Sequence, residues 1–438
     1  MTGADRLAVA YGVMGNRVLR SIYLLDMAAL AVAIAVASLI VFATALPWTA
    51  DTPSSIWPFL AMLVAGGTIG SYLSARAWGA TAPRPTYGRA VAIVGFASAF
   101  TAVGLVLTRV YWSRPMFAIT IAVWLGLALA HRAVLRRRPW SEPMVIITGE
   151  KQLAEDIRNT PHADVIAVYE RGEEPPHEPL DDGVSVVVDL RAVLSESMAQ
   201  YVSSASIAGY RVRSLSEVYE EHTGRIPMVH LAEGWELVQP VARSSYAPVK
   251  QAVDVVLTVI TAPLWLFLGA AVWAMVKLDS PGPALYHQKR TGRNDKLFTL
   301  HKFRTMVVNA EEGGPRFAAL DDPRITRVGR FLRKSRLDEI PQLWNVLRGD
   351  LSIVGPRPER PVFVEEYERA IPFYGSRHLI RPGVTGWAQV NYGYADDEAD
   401  TVEKLTYDLY YVKHQSVWLD LHILGLSVWT VLTGFGAR

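Results

Sequence analysis

Five apolar runs constrain what this chain can become more than any other feature. Four open the sequence, at about 27–46, 57–73, 90–107 and 116–130. Each approaches the roughly 20 residues a helix needs to cross a bilayer core, the second and fourth being short. A soluble bundle of buried helices is the competing reading, and the charges weigh against it. Arg6, Arg17 and Arg20 precede the first run, Arg76, Arg84 and Arg89 lie in the second connection, and Arg132, Arg136, Arg137 and Arg138 follow the fourth. The first connection has no such residue, and the third has only Arg109 and Arg114. Basic residues collect on the cytoplasmic side of membrane helices, so both ends of this bundle are expected there. The start lacks the small-residue cleavage pattern of a signal peptide, so the first run is expected to be retained.

The fifth run, 253–275, carries Pro263 near its middle. Arg243 and Lys250 precede it, and Lys277, Lys289, Arg290 and Arg293 follow. Two readings stay open. A proline-kinked spanning helix would carry everything after it to the far side. A helix that enters the bilayer, bends at Pro263 and returns keeps both basic flanks on one side, as the symmetry favours. Its difficulty is that the backbone groups freed at the bend need partners inside the membrane.

Composition agrees with a mixed protein. Of 438 residues, 50% are hydrophobic, and the mean hydropathy of +0.17 suits membrane and soluble parts in one chain. A net charge of +2 gives no global field for a polyanion, so a nucleic-acid partner is not expected. There is no cysteine, which removes disulfides, thiolate nucleophiles and cysteine-bound metals.

From position 144 the pattern changes. Short β-branched runs at 144–148, 165–169 and 184–188, with a further candidate at 211–215, alternate with helical patterns at 152–159 and 198–208. That alternation predicts a small parallel α/β domain. A dinucleotide site wants Gly-x-Gly-x-x-Gly after the first strand. This chain has Thr148-Gly149-Glu150-Lys151-Gln152, with one glycine and an acid where phosphates should sit, so the nucleotide motif is lost.

The chemistry gathers further on. In 298–306 apolar and basic positions alternate, predicting a half-buried strand with Lys302 and Arg304 on one face. They either hold a diphosphate or are solvated surface charges. Asp338 and Glu339 stand just ahead of Pro341, which is tolerated in a first helical turn. Asp338 is then an N-cap, or the pair is catalytic, helped by a helix end that favours phosphate and ionised acids. Two adjacent acids repel, and Mg²⁺ with Arg333, Arg336 and Arg357 would supply the counter-charge. Arg357 stands between Pro356 and Pro358, which restrict its backbone.

Six ordered motifs carry a resemblance: 279–283 (Asp-Ser-Pro-Gly-Pro), 288–292 (Gln-Lys-Arg-Thr-Gly), 302–306 (Lys-Phe-Arg-Thr-Met), 337–343 (Leu-Asp-Glu-Ile-Pro-Gln-Leu), 354–358 (Val-Gly-Pro-Arg-Pro) and 381–386 (Arg-Pro-Gly-Val-Thr-Gly). The segment from about Arg243 onward resembles the bacterial sugar transferases, the monotopic phosphoglycosyl transferases. With its helical bundle and α/β domain, the whole chain resembles the large undecaprenyl-phosphate hexose-1-phosphate transferases. The fold so implied is a membrane α-helical bundle, a Rossmann-like α/β domain, and an α+β catalytic domain with a re-entrant membrane helix. Its expected bounds are a cytoplasmic tail 1–20, bundle 21–138, α/β domain 143–240 and catalytic domain 241–438.

The resemblance implies that Asp338 is a nucleophile attacking the sugar-bearing phosphate of a UDP-hexose, glucose ahead of galactose, to release UMP. Undecaprenyl phosphate would then take the phosphosugar, starting an exopolysaccharide, capsule or O-antigen repeat unit. Glu339 would assist the lipid phosphate or share Mg²⁺ with Asp338. Lys302, Arg304, Arg333, Arg336, Gln342, Arg357 and Asp408 are expected to bind the phosphates and nucleotide sugar. Ala262-Pro263 marks the membrane bend; serine is frequent before that proline in the family, so another group must satisfy the opened backbone here. The implied setting is the bacterial inner membrane, with the catalytic domain on the cytoplasmic face and a homodimer in contact with lipid. A transporter fits less well, because the bundle's runs hold little ionisable material beyond Asp26. A non-catalytic scaffold gains nothing from placing two like charges side by side.

Overall fold

The structure, a computed structural model of the chain, describes residues 3–44, 46–48, 56–77, 87–109, 113–137, 141–170, 172–176, 180–181, 183–191, 193–231, 246–310, 322–392 and 398–433. Contacts divide the chain into two units, Met1–Ala154 with Pro161–Ser214, and Glu155–Thr160 with Leu215–Arg438.

In the first unit the four apolar runs become helices α1 (Gly3–Phe42), α2 (Ile56–Ala77), α3 (Tyr87–Leu107) and α4 (Arg114–Arg136). Each contains a stretch long and apolar enough to cross a membrane. Helix α1 is already helical at Gly3, so the segment expected as a tail runs unbroken into the span. Helix α4 is longer than its apolar run because the run stops at His131-Arg132, whereas the helix does not. Arg132 stays buried inside it through a two-pronged pair with Asp26 of α1, at 2.6 and 2.8 Å. Gly66 and Gly70 of α2 let the α3 backbone come close; a Cβ on Gly66 would stand 2.9 Å from Ala97 Cα.

The expected α/β domain follows as β1 (Glu142–Ile147), α5 (Lys151–Arg158), β2 (Ala163–Tyr169), β3 (Ser185–Val188), α6 (Glu196–Ile207) and β4 (Arg211–Ser214). All pairings are parallel, in the order β2-β1-β3-β4. Central β3 is buried along its length, as its unbroken apolar run requires. After β1 the turn closes on itself: Glu150 N–H donates to Thr148 Oγ1, and Thr148 Oγ1 donates to Asp189.

The second unit begins earlier in sequence than the expected boundary at 241. Helices α7 (Leu215–Thr223) and α8 (Met228–Leu231) group with it. Lys413 Nζ donates to Glu220 of α7 at 2.9 Å, and the Trp387 indole donates to Gly224 O at 2.8 Å. The fifth apolar run is two helices, α9 (Tyr246–Ile260) and α10 (Ala262–Asp279), broken at Thr261 with Pro263 in the first turn of α10. Thr261 Oγ1 donates to Leu257 O at 2.7 Å, and Trp265 Nε1 to Thr258 O at 3.0 Å. Leu257 O also accepts the Thr261 N–H at 3.0 Å, so of these two bonds it is the Trp265 indole that serves a carbonyl at the break. Only 11% of the apolar stretch in α10 is buried, and Leu264, Leu266, Phe267 and Leu278 are exposed.

Behind α10 lies the antiparallel hairpin β5 (Leu285–Thr291) and β6 (Leu297–Phe303). Helices α11 (Arg327–Ser335) and α12 (Gln342–Arg348) come next, then β7 (Ser352–Val354) and α13 (Pro361–Ala370). Strand β8 (Gly383–Thr385) pairs in parallel with β7, and α14 (Trp387–Asn391), α15 (Glu398–His414) and α16 (Val417–Thr433) complete the unit. Val272, Val276, Phe303 and Leu332 pack together, fixing α10, β6 and α11 against one another.

Candidate active site

The acid pair sits on an elbow. Helix α11 ends at Arg336, whose backbone is left-handed at φ 58°, ψ 13°. An L residue pays about 1–2 kcal/mol for that conformation where glycine would not. The turned chain makes one 3₁₀ turn, Leu337–Glu339, and enters α12 through Pro341. Asp338 is therefore not an N-cap, which removes the capping alternative: it lies inside the turn, 8% exposed, and its Oδ1 is buried without a hydrogen-bond partner among the described residues. Such an orphan costs about 1–3 kcal/mol or more, so it is a group the fold carries at a loss.

Glu339 is the opposite case. Its Oε1 faces Lys302 Nζ at 3.3 Å, Arg357 Nη2 at 3.3 Å and Arg336 Nη1 at 3.9 Å. Burial alone would raise its pKa, but Lys302, Arg357 and Arg336 outweigh burial and hold it well below the usual range. Asp338 is pushed up, first by burial and then by the Glu339 charge, against Lys302, Arg333 and Arg336. The two acids thus divide the work. Glu339 organises the cations. Asp338 stays under-compensated, with an oxygen to spare.

Each cation arrives from a different element. Lys302 comes from β6, opposite Tyr286 in the hairpin. Burial lowers its pKa, with Glu339 opposing. Arg333, from the last turn of α11, also donates Nε to Thr305 Oγ1 at 2.9 Å. Arg357 follows the tight Gly355 crossing, where a Cβ would stand 2.5 Å from Arg381 O; no larger residue allows the two loops to meet. Gln342 is buried at the start of α12.

Two expected phosphate ligands, Arg304 and Asp408, are engaged by other protein groups. Arg304 falls just past the end of β6, so strict alternation does not extend to it. Its guanidinium donates to Pro281 O, Ser280 O and Ser280 Oγ at 2.7–2.9 Å, fastening the turn after α10. Asp408 is buried on α15 and accepts from Arg377 Nη2 at 2.7 Å. The same Arg377 donates to the Arg357 carbonyl at 2.9 Å and to Tyr374 Oη at 2.6 Å. Asp408 is therefore linked to the Arg357 carbonyl through Arg377. Burial raises its pKa, Arg377 and Lys404 resisting.

Arg377 and Arg290, which the sequence did not assign to the site, hold the Arg357 loop. Arg290 donates to Pro358 O at 3.0 Å and to Glu359 at 3.4 Å, clamping the Arg357 loop to β5. Its place in the Gln-Lys-Arg-Thr-Gly motif was a usable signal; Arg377 had none.

Asp338 thus has a buried oxygen without a hydrogen-bond partner among the described residues and feels Lys302, Arg333 and Arg336, while Arg357 pairs with the adjacent Glu339. The sequence model of the family described as bacterial sugar transferase matches residues 245–434, the segment that holds every member of this site. A UDP-glucose:undecaprenyl-phosphate glucose-1-phosphate transferase of Escherichia coli (strain K12) is 33% identical over 327 residues, covering 67% of this chain and 68% of the relative. The chain belongs to the bacterial sugar transferase family. An Aeromonas hydrophila UDP-N-acetylgalactosamine-undecaprenyl-phosphate N-acetylgalactosaminephosphotransferase is 43% identical over 255 residues, 58% of this chain and 60% of the relative. A Salmonella typhimurium undecaprenyl-phosphate galactose phosphotransferase is 39% identical over 215 residues, 45% of this chain and 43% of the relative. The chain thus spans 60% and 43% of the lengths of these last two relatives.

Proposed function

We propose that this protein transfers a hexose-1-phosphate from a UDP-hexose to undecaprenyl phosphate through a phosphosugar held on Asp338. The observation that carries the reading is the buried, unpartnered Asp338 oxygen inside a ring of cations. In the first step the Asp338 carboxylate attacks the sugar-bearing phosphorus. The bond from that phosphorus to the bridging oxygen breaks, and UMP leaves with the bridging oxygen. In the second, a phosphate oxygen of the lipid attacks the same phosphorus, the acyl-phosphate bond breaks, and Asp338 is regenerated beside undecaprenyl-diphosphate-hexose. Arg357, Lys302 and Arg336, already convergent on Glu339, stabilise the oxygens on which charge develops.

The free Asp338 oxygen beside a second carboxylate also fits a divalent cation, so Asp338 and Glu339 would hold Mg²⁺. When bound, it would neutralise diphosphate oxygens. UDP-glucose is the first donor to test; UDP-galactose and UDP-N-acetylgalactosamine follow from the names of the relatives. Purified protein with UDP-glucose, Mg²⁺ and undecaprenyl phosphate is expected to release UMP, and Asp338→Asn to release none. Undiminished release in that variant overturns the assignment.

The break at Thr261, its self-contained hydrogen bonds and the largely uncovered α10 support a bend that returns to the side of entry. We place the catalytic unit on the cytoplasmic face on the basic residues flanking both ends of the run. Because the chain has no cysteine, a single Lys296→Cys variant reads this out. A membrane-impermeant maleimide should label it only after the inner membrane is opened; labelling of intact spheroplasts refutes the topology.

A further inference from the structure

Beside the acid pair runs an apolar groove of about 620 Å³. That is within the roughly 300–1,000 Å³ of small-molecule pockets. Trp265, Gly269 and Trp273 of α10 form one wall, Phe303 of β6 the back, and Ile340 and Trp344 the other wall. Ile340 directly follows Glu339, so the groove leads to the reacting carboxylates along the chain itself. Its lining is mostly apolar, and its polar members are largely engaged: Arg348 pairs with Asp350 at 3.6 Å. His287 Nδ1 and His301 Nδ1 lie 2.7 Å apart and share their hydrogen bond with each other. The Trp265 indole N–H is taken by Thr258 O. A sugar or nucleotide here would leave most of its hydroxyls unpaired. An unbranched run of hydrocarbon would not. The wall opposite Ile340 belongs to α10, whose apolar stretch is only 11% buried.

We propose that this groove seats the isoprenoid chain of the lipid acceptor, and that the break at Thr261 holds its wall in place through Trp265. The inference rests on the lipid-acceptor reading of the site. The carbonyl of Thr258 is opened by the proline break, and the indole that satisfies it is the same ring that lines the groove. Bend and groove are one device. At Gly269 an added Cβ meets only Ile340 Cγ2 at 3.6 Å and Phe303 Cζ at 4.0 Å, so the backbone tolerates a side chain and a long one must fill the groove.

The test uses full-length protein in nanodiscs and an undecaprenyl phosphate analogue carrying a diazirine on its first isoprene units. Photolabel is expected on peptides spanning 262–279 and 340–348, displaced by unlabelled undecaprenyl phosphate. Label confined to other segments, or label that the unlabelled lipid does not displace and bulk phospholipid does, overturns the proposal. In a second arm, Gly269→Leu is loaded with UDP-hexose in the absence of lipid and then discharged. Discharge by undecaprenyl phosphate should fall about tenfold or more, from the lost apolar contact, and UMP release in the loading step, which involves no lipid, should change less than twofold. Equal discharge of wild type and variant by the long lipid counts against the groove. Failure of the wild type to release UMP with any UDP-hexose instead rejects the parent reading, so the two failures are distinct.

Discussion

The two units each bury an aspartate, and the contrast separates a structural acid from a chemical one. Asp26 accepts from both terminal nitrogens of Arg132, and His131 Nε2 lies 2.9 Å away. Trp124 closes the arrangement by donating to the Asp26 carbonyl at 2.9 Å. It is a clasp between α1 and α4, with its carboxylate oxygens satisfied. Asp338 has more cations around it and fewer hydrogen bonds: Glu339 takes the direct contacts, and Asp338 keeps an empty oxygen. A fold that needs only stability completes its buried pairs. One that needs a nucleophile leaves one acid short.

Substitutions can break this comparison, and the largest effect belongs to the nucleophile. Asp338→Asn is expected to lower UMP release by at least about 1,000-fold. The same change should raise stability by on the order of 1–3 kcal/mol near neutral pH, because it removes a buried charge whose pKa is raised. The sign follows from linkage. A carboxyl with a raised folded-state pKa costs stability once ionised, so the gain should be full above about 6, shrink as pH falls below it, and vanish near the ordinary carboxyl value of about 4. Thermal unfolding of both proteins across pH 4–8 reads this out. Asp26→Asn is the mirror case: about 3–5 kcal/mol of the bundle's stability lost, because Arg132 is left buried and unpaired, with UMP release per folded molecule changed less than twofold.

Next in size are the cations. Arg357→Ala should lower kcat/KM for the UDP-hexose by about 100-fold. Arg377→Ala, acting through the Arg357 carbonyl, should cost about tenfold, mostly in kcat. Arg336→Gly separates backbone from charge. It should keep or gain about 1 kcal/mol of stability, since glycine takes φ 58° freely, while activity falls with the lost cation.

The smallest effect expected is a shift in pH profile. Donor-step kcat/KM should rise with pH through a limb near 6 as Asp338 ionises. Glu339→Gln removes the neighbouring negative charge and frees Lys302 and Arg357 toward Asp338, so the limb should move to lower pH. A limb that stays in place would mean that Glu339 does not set the Asp338 pKa.

Much of this was legible in the sequence because it is local. Apolar runs located the helices but not their bounds: α1 begins at Gly3, well before its run, the fifth run is two helices, and α4 continues past Arg132, whose distant partner Asp26 lets it stay buried. Strand alternation correctly placed Lys302 but was carried one position too far at Arg304, where the strand had ended. The acid pair and Arg357 were visible through motif and proline context. Arg377 and the layered role of Asp408 were not, because they depend on contacts 20 and 31 residues apart in sequence that no local pattern encodes. Nor could spacing reveal that Glu339 would take the direct ion pairs and Asp338 none. That division is tertiary.

The most direct test is mass spectrometry of the protein incubated with UDP-hexose and Mg²⁺ but no lipid acceptor. The account predicts UMP release and a single hexose-phosphate adduct on the peptide containing Asp338, lost on addition of undecaprenyl phosphate. UMP released only when the lipid is present, with no adduct at Asp338 at any time, would contradict it.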